Sequence, residues 1–123
     1  MKAIESQIGG EHYKNMKFQP IQLITSLKCS FIQGCIIKYI TRYKYKNGAE
    51  DIKKCIHYAQ LAIELNNRKY CDPDALFQIK KYISDNQLSM LQQKILTGAI
   101  YNKYKQVIVC CNLLLELEYT KKS

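Results

Sequence analysis

The sequence predicts an all-α protein, a compact helical bundle of about five or six helices built round a central antiparallel helical hairpin. Three observations carry this expectation. No stretch alternates apolar and polar residues with a period of two. Apolar residues recur instead three and four positions apart, the spacing that gathers side chains on one helix face. The runs are separated by Asn47-Gly48, Asp72-Pro73 and Asp85-Asn86, pairs that stop or start helices.

The elements follow in order. Residues 1–17 show little periodicity around Gly9-Gly10 and read as an arm or loop. Pro20 suits a first helical turn, where its missing N–H costs nothing, and Ile21, Leu23, Ile24 and Leu27 continue a short apolar helix. Ser30-Phe31-Ile32-Gln33 fits a capping box and opens a helix over residues 31–45. Asn47-Gly48 ends it, since both residues tolerate the left-handed conformation. A helix over residues 50–66 follows, with Glu50 and Asp51 at its positive end. Asp72-Pro73 starts a helix to Ser84, and a short helix spans 87–97. Gly98 is a break or a tolerated glycine, and the last helix spans 99–119 before a frayed Lys121-Lys122-Ser123. The expected architecture is two antiparallel helix pairs around one core. Residues 1–123 form a single domain, with 11–66 as the hairpin core, 72–119 as a C-terminal helical extension and 66–74 as the candidate joint.

Composition narrows the class. With 47% hydrophobic and 24% charged residues, the chain is globular in character. It shows no signal peptide, and its longest apolar stretch, residues 107–117, is interrupted by Asn112 and Glu116. A soluble cytoplasmic protein without a membrane partner is expected. The six cysteines lack C-x-x-C spacing and read as reduced, buried small hydrophobes. His12 and His57 do not complete a zinc set with them.

The net charge is +9, and it is unevenly spread. No acid lies between Glu11 and Glu50, whereas Lys14, Lys17, Lys28, Lys38, Arg42, Lys44 and Lys46 all do. Such an excess predicts an anionic partner (nucleic acid, nucleotide or an acidic protein surface) or a charge that serves solubility.

The hairpin concentrates the chemistry. On its first helix Ile32, Cys35, Ile36, Tyr39, Ile40 and Tyr43 form the apolar stripe, and Lys38, Arg42 and Tyr45 share another face. On its second helix Ile52, Cys55, Ile56, Ala59, Ala62 and Ile63 form the stripe. Lys53, His57, Gln60 and Glu64 make the polar face, and Lys54 and Tyr58 lie at the boundary. Packing the stripes together brings Lys38, Arg42, Lys46, Lys53 and Lys54 toward the Asn47-Gly48 end. Arginine offers a phosphate a planar donor fork, lysine a mobile point charge. Glu50 and Asp51 then cap the helix, hold lysines in place, or bind a magnesium ion that bridges to phosphates. Tyr39 and Tyr43 fall to the core, and Tyr45 is the stacking candidate. His57 is a polar-face residue able to titrate near neutral pH. The sequence contains no phosphate-binding G-x-x-x-x-G-K-[ST] loop, no G-x-G-x-x-G fingerprint and no G-x-S-x-G elbow.

EHYK at residues 11–14, FQPIQLI at 18–24 and FIQGCIIKYITRYKYKNGAEDIKKCIHYAQLAIE at 31–64 resemble the small bacteriophage proteins called SaV-like, which are often described as nucleotide kinases. The family pattern has a His-Tyr pair, a Pro-Ile, a G-N-A-I-K-Y-I-x-R helix and a K-x-G-x-E-D hairpin. His12, Tyr13, Pro20, Gly34, Lys38, Tyr39, Arg42, Lys46, Gly48, Glu50, Asp51, Lys53 and Tyr58 match it, and Cys35 departs from the family asparagine. Cysteine replaces the hydrogen bonding of asparagine poorly. The likeness covers about half the chain. It implies a homo-oligomeric phage protein that handles nucleotides in the cytoplasm of the infected bacterial host.

Three functions follow as expectations. The first is a nucleotide-binding protein acting as a nucleoside monophosphate kinase, with ATP and magnesium as cofactors. Lys38, Arg42, Lys46, Lys53 and Lys54 would hold phosphates, and His12 and Tyr13 would close over the base or sugar. The second is a non-catalytic protein that sequesters a nucleotide signal of antiphage defence. The third is a host-takeover module that binds protein or DNA through its basic surface.

Overall fold

The computed structural model describes residues 17–71 and 75–119. His12 and Tyr13 lie outside these described residues, as do Asp72-Pro73 and the last four positions. Pro20 opens α1 (Pro20–Ser26) as its first residue. Ser30 opens α2 (Phe31–Arg42): its hydroxyl accepts from the Gln33 N–H, and the Gln33 side chain accepts from the Ser30 N–H, completing the capping box. A 3-10 turn, Tyr43–Tyr45, leads to α3 (Ala49–Glu64). Then come α4 (Ala75–Asp85), α5 (Met90–Ile100) and α6 (Tyr104–Glu118). The described residues form an all-α bundle of six α-helices with no strand. None of these helices is long and apolar enough to cross a membrane.

Three boundaries differ from expectation. α2 stops at Arg42, three residues early, because the Tyr43 carbonyl accepts the N–H groups of Lys46 and Gly48, which turns the chain toward α3. α5 starts at Met90 because Ser89 and Gln92 form a second capping box, and it runs through Gly98 to Ile100. The expected helix over 99–119 is broken at Tyr101–Lys103, where Asn102 takes φ +60°. Gly98 is a tolerated glycine with a packing reason. A Cβ there would stand 2.9 Å from Val107 Cγ2, so the missing side chain lets α6 approach α5.

Four helices end alike. Lys28, Asn66, Gln87 and Asn102 each adopt positive φ just past a helix. In each case the next N–H reaches back to the third-from-last carbonyl (Cys29 to Ile24, Asn67 to Ala62, Leu88 to Ile83, Lys103 to Gly98). These are Schellman motifs built without glycine.

α2, α3, α6 and α5 pack in a closed ring, each against the next. Their inner faces share one core: Ile36, Ile40, Tyr43, Ile52, Cys55, Ala59, Ile95, Ala99, Val107 and Leu114 among others. Burying each such aliphatic side chain stabilises by about 1.5–3 kcal/mol. α1 and α4 cover the other side of α2 and α5, where Leu23, Leu27, Ile37, Ile79, Tyr82, Leu96 and Ile100 form a second cluster. The C-terminal helices α5 and α6 thus supply half of the ring that holds the hairpin.

Two buried glutamines lock the ring. Gln33 Nε2, at the start of α2, donates to the carbonyls of Ala99 and Ile100 at the end of α5. Gln92 Nε2, at the start of α5, donates to the Ile40 carbonyl near the end of α2. The two helices therefore run antiparallel, each capping residue also serving its neighbour. Gln33 Nε2 reaches the Lys69 carbonyl as well, which Asn102 also holds, so the tract expected as a joint is pinned to both α2 and the α5–α6 turn.

Candidate functional site

The hairpin turn is fixed first. Gly48 has φ +55° and ψ −123°, a conformation open to glycine and costly for other residues, and a Cβ there would lie 3.3 Å from the Tyr119 hydroxyl. This turn sets Asp51, in the first turn of α3, against Arg42, the last residue of α2. Arg42 Nε donates to Asp51 Oδ2 at 3.1 Å and Nη2 to Oδ1 at 3.2 Å. The Asn47 N–H adds a longer bond to Oδ2 at 3.4 Å. The Asp51 side chain is fully buried and that of Arg42 is 13% exposed.

Beside this pair stands Tyr39, with the Arg42 guanidinium 4.8 Å from its ring centroid. Lys54 Nζ lies 5.1 Å and Lys38 Nζ 5.4 Å from the same centroid. All three fall within the reach of cation–π attraction. The Tyr58 ring is stacked on Tyr39, 6.1 Å away and tilted by 17°. Phe31 and His57 meet Tyr58 edge-on at 6.1 and 5.7 Å. The result is an aromatic row along the α2–α3 seam, capped at one end by cations. Phe31 is exposed at the other end.

Cys35 sits within this row. Burial raises its thiol pKa, while the Tyr58 hydroxyl that hydrogen-bonds the sulfur and the nearby Lys38 lower it. The Tyr58 hydroxyl is pushed up in turn by Cys35. Lys38 also lines a cavity of about 250 Å³ against Pro20, Ile21 and Ile24 of α1, so it stands between an apolar recess and the aromatic row.

The candidate residues divide accordingly. Lys38, Arg42 and Lys54 come together round Tyr39, and His57 packs against Tyr58. Tyr45, Lys46 and Lys53 are exposed and belong to neither the Arg42–Asp51 pair nor the cation contacts of Tyr39. Tyr45 lies in the 3-10 turn, off the α2 face assigned to it. Arg42 was expected as an open phosphate fork, but the buried Asp51 engages one edge of it, through Nε and Nη2. Glu50 holds Lys54 at 3.6 Å, so the two adjacent acids serve different cations. Among the described residues, no group of three or more His, Cys, Asp or Glu side chains could hold a metal ion.

Tyr39 was expected in the core, yet it is half-buried and is the hub of the site. Phe31 was not singled out at all. The signal was present: Phe31, Cys35, Lys38, Tyr39 and Arg42 are spaced to run down one side of α2. Ile63, assigned to the apolar stripe of α3, is 44% exposed, whereas its neighbour Ala62 carries the stripe into the core.

A family model described as a protein of unknown function, DUF3310, matches residues 8–60. That segment contains α1, α2, the turn and most of α3, hence every residue of the aromatic row and its cations. No curated protein and no solved structure shows significant similarity to the chain.

Proposed function

We propose that this chain binds a nucleotide-like anion on the aromatic row of the hairpin and holds it without turnover. One observation carries the reading: three cations surround Tyr39, whose ring is stacked on Tyr58. A planar base finds a stacking partner in the exposed Phe31 and the half-exposed Tyr58. A phosphate finds the ammonium groups of Lys38 and Lys54, with Lys46 and Lys53 adding to the positive field. Arg42 acts by position. Gripped by Asp51, it presents its face to Tyr39 and leaves phosphate binding to the lysines.

The likeness to SaV-like bacteriophage proteins supports a setting in the cytoplasm of an infected bacterium. There a homo-oligomer of this chain would withdraw a nucleotide signal from antiphage defence. The kinase reading requires ATP, magnesium and transfer of a phosphoryl group, for which an arginine fork already occupied by a carboxylate is poorly disposed.

Calorimetry with nucleoside mono-, di- and triphosphates, followed by recovery of the ligand, tests the proposal. Binding that is lost on Lys38→Ala together with Lys54→Ala, with the ligand recovered intact, is the expected result. Conversion of a monophosphate to its diphosphate with ATP and magnesium would replace sequestration by the kinase reading. The absence of binding to any nucleotide would overturn both. Binding to duplex or single-stranded DNA that weakens steeply with salt would favour the basic surface as a nucleic-acid interface.

A further inference from the structure

The end of α3 and the start of α6 enclose a second cavity, of about 290 Å³, which shares no lining residue with the aromatic row. Arg68, Lys103 and Lys105 line it. All three are exposed, and among the described residues none is paired with a carboxylate. Three uncompensated cations round one concavity repel one another, and an anion placed between them relieves that repulsion.

The hydrogen bonding at this cavity also favours an anion. Two Schellman motifs meet there, those that close α3 and α5. They use the carbonyls of Ala62 and Ile63, and of Gly98 and Ala99, inside the protein. The side-chain acceptors of the three lining asparagines are likewise occupied. Asn102 Oδ1 accepts the Tyr104 hydroxyl at 3.1 Å, and Asn67 Oδ1 accepts the Ser30 hydroxyl at 3.1 Å. Asn66 Oδ1 takes the Arg68 Nε at 3.0 Å, which leaves the rest of that guanidinium fork. α6 begins beside the cavity with no side-chain cap on its first turn. The cationic side chains therefore face asparagine oxygens that are already engaged, a setting that favours a phosphate over a cation.

The apolar part of the lining is Ala62, Ile63 and the Tyr104 ring. The volume lies at the small end of ligand pockets, which start at roughly 300 Å³, and so selects a compact molecule. We infer that this cavity is a second ligand site, for a small phosphate monoester whose phosphate meets Arg68, Lys103 and Lys105 and whose planar or apolar body lies along Ala62, Ile63 and Tyr104. The inference stands independently of nucleotide binding at Tyr39, because the two sites have no residue in common.

Amide NMR on the full chain tests it, with inorganic phosphate, thymidine monophosphate and thymidine as probes. Phosphate and the monophosphate should shift the amides of Asn66, Asn67, Arg68, Lys105 and Gln106 to saturation, the monophosphate about tenfold more tightly, and thymidine should leave them in place. Arg68→Ala with Lys103→Ala should weaken both by about tenfold or more while the helical circular dichroism is retained. Lys80→Ala, an exposed charge on α4, should leave them unchanged. The inference fails if neither phosphate probe saturates these amides. It fails equally if the shifts are confined to the α2–α3 row, or if Lys80→Ala weakens binding as much as the cavity variants. Saturation at both the cavity and the row supports two sites.

Discussion

The Arg42 guanidinium holds the buried Asp51 carboxylate through two bonds of 3.1 and 3.2 Å across the hairpin turn. It joins the last residue of α2 to the first turn of α3 and so fixes the angle at which the hairpin leaves its turn. The same guanidinium faces Tyr39, so a structural ion pair and the candidate binding row share one side chain. Positive charge at the end of α2 and negative charge at the start of α3 also oppose the partial charges of those helix ends, which adds to the pair.

Removing one partner leaves a buried charge without compensation. Arg42→Ala and Asp51→Ala should each cost about 3–5 kcal/mol, read as a lowered urea midpoint. Replacing both with apolar residues of similar size, Arg42→Met with Asp51→Leu, should recover most of that loss, since a buried pair is stabilising mainly relative to its broken halves. Two single losses that add in the double variant would show that the residues act separately.

The hairpin and its helices were legible because their signals are local. Pro20, Ser30–Gln33 and Asn47-Gly48 each act within one turn of chain. The Ser89–Gln92 box has the same form as Ser30–Gln33, but the apolar run that Leu88 begins blurred its start. The break at Asn102 carried no glycine or proline and was hidden inside a continuous apolar pattern. The Arg42–Asp51 pair was out of reach for a different reason. Its members are nine positions apart, on different helices, and only the conformation of Gly48 brings them together. Helical spacing gave Tyr39 an apolar face, and packing put it at the edge of that face, beside three cations.

If Tyr39 is the hub of binding, its ring matters more than its hydroxyl. Tyr39→Phe should keep nucleotide affinity within about twofold, and Tyr39→Leu should lose about threefold to tenfold, the range of one or two cation–π contacts. Cys35→Asn, which places an amide beside Tyr58 and Lys38, should alter affinity without unfolding the chain. Calorimetry on the three variants reads both effects. Equal affinity for Tyr39→Leu and the parent chain would remove the aromatic row from the binding site.

Lys28 and Gln87 occupy left-handed positions that disfavour residues with a Cβ by about 1–2 kcal/mol. Both are exposed, so no packing opposes their replacement. Lys28→Gly and Gln87→Gly should each raise stability, by about 0.5–1 kcal/mol after the added chain entropy of the unfolded state is subtracted. Gly48→Ala and Gly98→Ala should act in the opposite direction, the first through its positive φ and the second through the 2.9 Å approach to Val107. Thermal melts of the four variants should therefore split into two pairs of opposite sign.

Alkaline pH should loosen the fold through groups that ionise late when folded. Burial pushes Tyr104 up to about 12 and Cys29 up to about 12, from ordinary values of 10.0 and 9.0. Burial, then the neighbouring Glu118 carboxylate, raises Tyr43 as well. Each is neutral when protonated and harder to ionise in the folded chain. Between the ordinary value and the raised one the unfolded chain holds fewer protons, so the free energy of unfolding falls as pH rises. The stabilisation is complete below about pH 9 and is lost progressively toward about pH 12. A urea midpoint that is flat to about pH 9 and then declines is the expected profile. In Tyr104→Phe the decline should be shallower, although the variant starts less stable because the hydroxyl bond to Asn102 is gone. A Tyr104→Phe profile parallel to that of the parent chain would assign the alkaline loss to the other raised groups, Tyr43, Cys29 and Cys55 among them.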